Sequence, residues 1–221
     1  RIICHGEYLK NEFIKKTRIR AEKVLVVMHG ELSLFKRWER AGVKEEDNTV
    51  LFFGRIVRYK GLDILIRAAP IIAKHIPKLK IVVAGTGPDI ERCFNLVKNP
   101  SIFEFKKEFV SNEKVAELFQ RAKIVVLPYI EASQSGVVAI AYSFGKPVVS
   151  TNVGSLPEVI ENGTTGIIVP PMNVDALASA IVKLLENDSL IKEYKKNIKK
   201  LINTKLSWDV IGLENYKVYK L

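Results

Sequence analysis

Thr49-Val50-Leu51-Phe52-Phe53-Gly54-Arg55-Ile56-Val57-Arg58-Tyr59-Lys60-Gly61-Leu62-Asp63-Ile64-Leu65-Ile66 carries two periodicities on either side of one loop. Thr49 to Phe53 is apolar without alternation, as expected of a strand covered on both faces. After the loop, Leu62, Leu65, Ile66, Ala69 and Ala73 recur at helical spacing. The same unit then repeats. Strands are predicted at 49–53, 79–84, 102–105, 123–128, 147–150 and 166–169. Helical patterns lie between or after them on Val115, Leu118, Phe119 and Ala122, and on Val174, Leu177, Ile181, Leu184 and Leu185. Ser111 and Asn173 stand where N-caps belong. Strand and helix in alternation predict an α/β fold with a doubly wound, Rossmann-like parallel sheet. Pro70 removes a helix hydrogen bond at a cost of roughly 3 kcal/mol, which predicts a kink or break near Ala69.

Residues 1–47 do not join that repeat. A short helix is predicted from Glu7 to Lys16 and a buried-type strand from Lys23 to Met28, followed by a charged, helix-breaking stretch from His29 to Asn48. A lone strand leaves its edges unpaired. Residues 1–47 are therefore expected to be the tail of a missing N-terminal domain plus a linker, with residues 48–221 forming the main domain.

Composition narrows the function classes. The chain has 221 residues, of which 48% are hydrophobic, enough for one full core. Cys4 and Cys93 have no paired spacing, which argues against a disulfide framework and a zinc site and fits a reducing, cytoplasmic setting. No apolar run approaches the roughly 18 residues of a membrane span, and the first residues lack the order of a signal peptide. There is no Asp-x-Asp pair and no P-loop, and His5, His29 and His75 are not at ligand spacing, so no metal is expected. The net charge of +11 calls for an anionic partner. Much of it lies in Lys192, Lys195, Lys196, Lys199 and Lys200, on a helix whose other face is Leu190, Ile191, Tyr194, Ile198, Leu201 and Ile202. That pattern reads as a core-docked helix with a solvated back, as a peripheral contact with the anionic inner face of a membrane, or as a nucleic-acid surface, the least favoured of the three.

Three loops should leave the carboxyl ends of strands, which share one rim in an open parallel sheet. Gly54 and Gly61 bracket Arg55 and Lys60 and allow close backbone approach to an anion. Gly85-Thr86-Gly87 follows an apolar strand, although Ile90 stands where a dinucleotide fingerprint needs its third glycine. Glu131-Ala132-Ser133-Gln134-Ser135-Gly136 offers hydroxyls and N–H groups at a helix N-terminus. Together they form the layout of a site for a diphosphate-linked ligand.

These loops, with Phe109-Val110-Ser111, Gly145-Lys146-Pro147-Val148-Val149, Gly154-Ser155-Leu156-Pro157-Glu158, Gly163-Thr164-Thr165-Gly166 and Ser207-Trp208, resemble the C-terminal half of a retaining GT-B glycosyltransferase of the glycosyl transferases group 1 type. The resemblance covers residues 48 to 221. It implies a nucleoside diphosphate sugar as donor substrate, a glycan or lipid-linked acceptor held on the N-terminal domain, no cofactor, and weak or no activity of this chain alone. It places Gly85, Gly87, Phe109 and Val110 near the nucleotide base. It places the loop with Glu131, Ser133, Gln134, Ser135 and Gly136 near the donor sugar, and Glu158 near the nucleotide. The family's two glutamates, one near the sugar and one near the ribose, align with Ala132 and Ile140, and Glu131 is one residue off the first. A leaving diphosphate needs fixed cations or N–H donors where no metal serves, and Arg55 and Lys60 are the candidates for that catalytic role. A nucleotide-sugar 2-epimerase and a non-catalytic basic module for anionic lipid or nucleic acid remain open alternatives.

Overall fold

A computed structural model describes residues 1–220. Six parallel strands form the main sheet: β3 (Thr49–Phe53), β4 (Lys80–Ala84), β5 (Phe103–Lys106), β6 (Ile124–Leu127), β7 (Val148–Thr151) and β8 (Gly166–Val169). Their order is β5-β4-β3-β6-β7-β8, so chain direction across the sheet reverses between β3 and β6. Alternate residues of each central strand feed opposite cores. Val50, Phe52, Ile81, Val83, Ile124 and Val126 face α2 (Leu62–His75) and α7 (Val174–Leu185). Leu51, Val82, Ala84, Val125 and Leu127 face α4 (Asn112–Arg121) and α5 (Gly136–Ser143). Burial on both faces explains why these strands read as continuous apolar runs. Ser111 and Asn173 cap α4 and α7 through their side chains. A five-residue helix, α3 (Ile90–Phe94), follows β4, and a four-residue one, α6 (Leu156–Val159), follows β7.

Two expectations fail. Of the kink or break predicted near Ala69, the break does not occur: α2 runs through Pro70 as one helix. Pro70 itself is exposed, so its ring is not forced into the core. The strand before His29 is also not alone: β2 (Val24–Val26) pairs in parallel with β1 (Ile2–Cys4), across α1 (Glu7–Thr17). The three-residue β1 is too short to announce itself by pattern.

The stretch 29–48 is docked rather than free. Ser33 to Trp38 forms a short 3-10 helix, and Leu32 and Phe35 pack on the α4–α5 core. Glu45 takes an ion pair from the buried Lys146 at 2.6 Å and another from Lys195 at 2.6 Å. Glu46 pairs with Arg121 at 2.6 Å, and Arg121 also holds Glu104 at 2.9 Å. The lysine-rich helix is α8 (Asp188–Thr204), with Ile191, Tyr194, Ile198 and Leu201 buried. The last helix, α9 (Trp208–Lys220), returns to the N-terminal segment, packing Ile211 and Val218 on Val27.

Candidate functional site

Strand order reverses between β3 and β6, and in open α/β sheets the crevice beyond that point is where ligands bind. A cleft of about 950 Å³ lies there, within the roughly 300–1,000 Å³ of small-molecule sites. Lys60 and Tyr59 enter it from the loop after β3, and Tyr129 to Gly136 from the loop after β6. Gly154 and Val153 close it from β7, while Tyr8, Leu9, Glu12 and Lys16 of α1 form the facing wall.

Backbone contacts set the spacing of these loops. Ile130 N–H donates to the Tyr59 carbonyl at 2.7 Å, and Ser155 N–H to the Ser133 carbonyl at 2.9 Å. Gly61 has φ +65°, and a Cβ there would stand 1.9 Å from the Pro128 carbonyl oxygen, so no side chain fits. Thr151 Oγ1 donates to the Tyr129 carbonyl at 2.6 Å. The Lys60 loop and the 128–136 loop are thus one rigid unit.

Lys60 is half-buried and has no ion-pair partner among the described residues. Its Nζ sits 5.0 Å from the centroid of the Tyr129 ring. Burial holds its pKa below the ordinary lysine value, partly offset by Tyr59. Tyr129 is itself buried, its hydroxyl 3.3 Å from Ser135 Oγ, and desolvation pushes its pKa up to about 12. Ser135 Oγ accepts from Val137 N–H and so caps α5, whose N-terminus opens into the cleft. A desolvated ammonium without a carboxylate, next to the positive end of a helix, is an arrangement for an anion.

The other predicted residues fall in different places. Arg55 is exposed, has no partner among the described residues and does not line the cleft. Glu131, Ser133, Gln134, Ser135 and Gly136 line it, as do Ala132 and Ile140, so both positions aligned with the family's glutamates present apolar side chains there. Gly85 and Gly87 lie against a neighbouring backbone: a Cβ on either would stand 2.0 Å from the carbonyl oxygen of Gly54 or Ile56. Gly54 N–H and Ile56 N–H extend that contact to Ala84 and Thr86 at 2.9 Å each. Phe109 is 89% exposed in the loop before α4, with Val110 partly buried behind it. Neither lines the cleft.

The Glu158 carboxylate, expected near the nucleotide, accepts from Glu7 N–H at 2.6 Å and Tyr8 N–H at 2.9 Å at the N-terminus of α1. Gly6, which precedes that helix, supplies no side-chain cap, so a carboxylate from β7–α6 takes the orphan donors. Sequence reading also missed Tyr129 and the α1 wall. Tyr8, Glu12 and Lys16 stand at i, i+4 and i+8, a one-face signal that was available. His5 and His29 are structural, each with Nδ1 against a backbone carbonyl and rings 5.6 Å apart.

The fold and the cleft define the class: an open α/β protein with an anion-ready ligand site where strand order reverses. The chain belongs to the glycosyl transferases group 1 family, whose model matches residues 47–187. It is 32% identical over 236 residues to an uncharacterized glycosyltransferase of Methanocaldococcus jannaschii, covering 100% of this chain and 60% of the relative. It is 27% identical over 226 residues to the alpha-D-kanosaminyltransferase of Streptomyces kanamyceticus, covering 96% of this chain and 58% of the relative. The chain thus spans about three fifths of the curated relatives it matches. Among solved structures, Anabaena HepE in complex with UDP superposes with a TM-score of 0.83 at 18% identity, covering 99% of this chain and 63% of that one. Sucrose-phosphate synthase from Thermosynechococcus elongatus gives 0.79 at 21%, covering 99% and 57%. The fold is that of GT-B glycosyltransferases.

Proposed function

We propose that residues 48–221 are the donor-binding domain of a metal-independent, retaining glycosyltransferase that takes a sugar from a nucleoside diphosphate sugar. Residues 1–47 belong, on this reading, to the acceptor-side domain, which holds a glycan or lipid-linked acceptor. The observation that carries the reading is Lys60, an unpaired, half-buried ammonium at the switch point beside the α5 N-terminus. The presence of UDP in the HepE structure supports a nucleotide donor.

In the reaction, the bond between the anomeric carbon and the diphosphate oxygen breaks and the electron pair stays on the diphosphate. The acceptor hydroxyl oxygen bonds to the anomeric carbon on the same face and passes its proton to the departing phosphate oxygen. Lys60 and the N–H groups of α5 stabilise the departing charge, and preorganised donors of this kind carry much of such catalysis. Arg55 adds a second cation outside the cleft lining, at the end of β3. Glu131, Ser133 and Gln134 are the polar groups within reach of the sugar, since Ala132 and Ile140 offer none.

Calorimetry with uridine, guanosine and adenosine diphosphate glucose tests the proposal. Micromolar to millimolar binding of one of them is expected, with a loss of at least about tenfold, or 1.4 kcal/mol, in Lys60→Ala and a smaller loss in Arg55→Ala. Undiminished affinity in Lys60→Ala would overturn it. Retention is read from the anomeric configuration of the product formed by the intact protein, and metal independence from its rate in chelator.

A further inference from the structure

The outer face of α8 is predominantly basic. Lys192, Lys196, Lys199 and Lys200 are all exposed and none has an ion-pair partner among the described residues. At 100° per residue they fall within about a quarter-turn to a third of a turn of one another, with only Ser189 and Asn203 between them. The helix has two exposed acids, both at the edges of this face: Asp188 is held at its first residue by Lys123 at 2.8 Å, and Glu193 lies about 20° round from Lys200. The opposite face is fixed in the core through Ile191, Tyr194, Ile198 and Leu201, so the lysines are presented by a rigid body.

We propose that this face docks the protein on an anionic bilayer leaflet. The surface is separate from the cleft and does not depend on the transferase reading. Lysines on a helix lying flat can lay their stems along the interface while their ammonium groups meet lipid phosphates and carboxylates. A nucleic-acid surface would be expected to interleave arginine or aromatic side chains for stacking, and this face has neither. Beside it, Lys199 and Asn203 border a recess of about 550 Å³, opposite Lys36 and Ser33. Ser33 lines the recess while its neighbour Leu32 lines the cleft. One short segment therefore borders both the recess beside α8 and the cleft.

Co-sedimentation with vesicles tests this on the chain as it stands. Binding is expected to vesicles of phosphatidylcholine with about 30% phosphatidylserine and not to phosphatidylcholine alone, and it should fall steeply between 50 and 500 mM salt. At about 1 kcal/mol per lysine, the double variant Lys196→Glu/Lys200→Glu should lose about thirtyfold or more in affinity. Lys74→Glu/Lys98→Glu, which makes the same charge change on exposed lysines elsewhere, should lose much less. Equal loss in both variants, equal binding to both vesicle types, competition by millimolar inorganic phosphate, or tighter binding to a duplex oligonucleotide than to the anionic vesicles would each overturn the proposal. Thermal denaturation of both variants checks that the fold is retained.

Discussion

The Lys60 ammonium lies 5.0 Å from the centroid of the Tyr129 ring, joining the loop after β3 to the loop after β6. Tyr129 is buried and its loop is pinned to Tyr59 and Thr151. The ring therefore fixes where the cation stands. Cation–π contacts run from about 0.5 kcal/mol at exposed sites to about 2 when desolvated. Tyr129→Leu should weaken nucleoside diphosphate binding by about three- to tenfold, and Tyr129→Phe, which keeps the ring face, by less than about twofold. Calorimetry on both decides it: equal losses would mean that the hydroxyl contact with Ser135 matters, not the ring.

A half-buried ammonium without an ion-pair partner is a cost to the fold. Burial depresses the Lys60 pKa, so the unfolded chain binds more protons between the folded pKa and 10.5, and stability rises with pH through that window. Below it the penalty is fully present. Lys60→Met, which keeps the stem and removes the charge, should raise the melting temperature at pH 7. Its advantage over the parent should shrink as pH climbs toward 10.5. A lower melting temperature at pH 7 would mean that the cation has a partner in the folded state.

Much of this architecture can be read from the residues because burial on both faces forces unbroken apolar runs such as Ile81-Val82-Val83-Ala84. The rim loops are equally visible, since Gly61 and Gly154 occur where a Cβ would meet a backbone oxygen. Less visible are effects that depend on three-dimensional neighbours. Gly85 and Gly87 look like a ligand turn in sequence, and only the fold shows that two loop backbones also touch there. The charged run Glu45-Glu46 looks like linker, but its partners Lys146 and Arg121 are distant in sequence. Tyr8, Glu12 and Lys16 belong to the cleft only because α1 folds back over it.

The glycine contacts make a direct stability prediction. Gly85 has φ +139°, and a Cβ there would stand 2.0 Å from the Gly54 carbonyl oxygen. Gly163 also has positive φ, at +76°, but nothing lies within 4 Å. Gly85→Ala should therefore cost about 3 kcal/mol or more, and Gly163→Ala only about 1, from backbone strain alone. Urea midpoints read the difference, and equal midpoints would rule out the steric explanation for Gly85.

Acid should loosen the edge at β5. Arg121 hydrogen-bonds Glu104 and holds its pKa down at about 2. The depressed value means that Glu104 contributes stability above pH 4.5, which is lost as pH falls toward 2. The site is partly open to solvent, so the contribution is discounted to about 1 kcal/mol. Glu104→Gln should flatten the acid limb of the stability curve between pH 4.5 and 2. An unchanged limb would place the acid sensitivity elsewhere.

Glu158 separates a scaffold role from a ligand role. Its two oxygens accept the first N–H groups of α1, 2.6 and 2.9 Å away, and Gly6 packs so closely that a Cβ would stand 2.4 Å from Ser155 Oγ. The carboxylate is therefore a cap supplied by one segment to another, and α1 is the wall that faces Lys60. Caps of this type contribute about 1 kcal/mol, and a charged one gains further from the helix dipole. Glu158→Gln should lower stability by about 1 kcal/mol and speed amide exchange at Glu7 and Tyr8, while nucleotide affinity changes by less than about twofold. A tenfold loss of nucleotide affinity, with exchange at α1 unaltered, would return Glu158 to the ligand and undo its assignment to the helix.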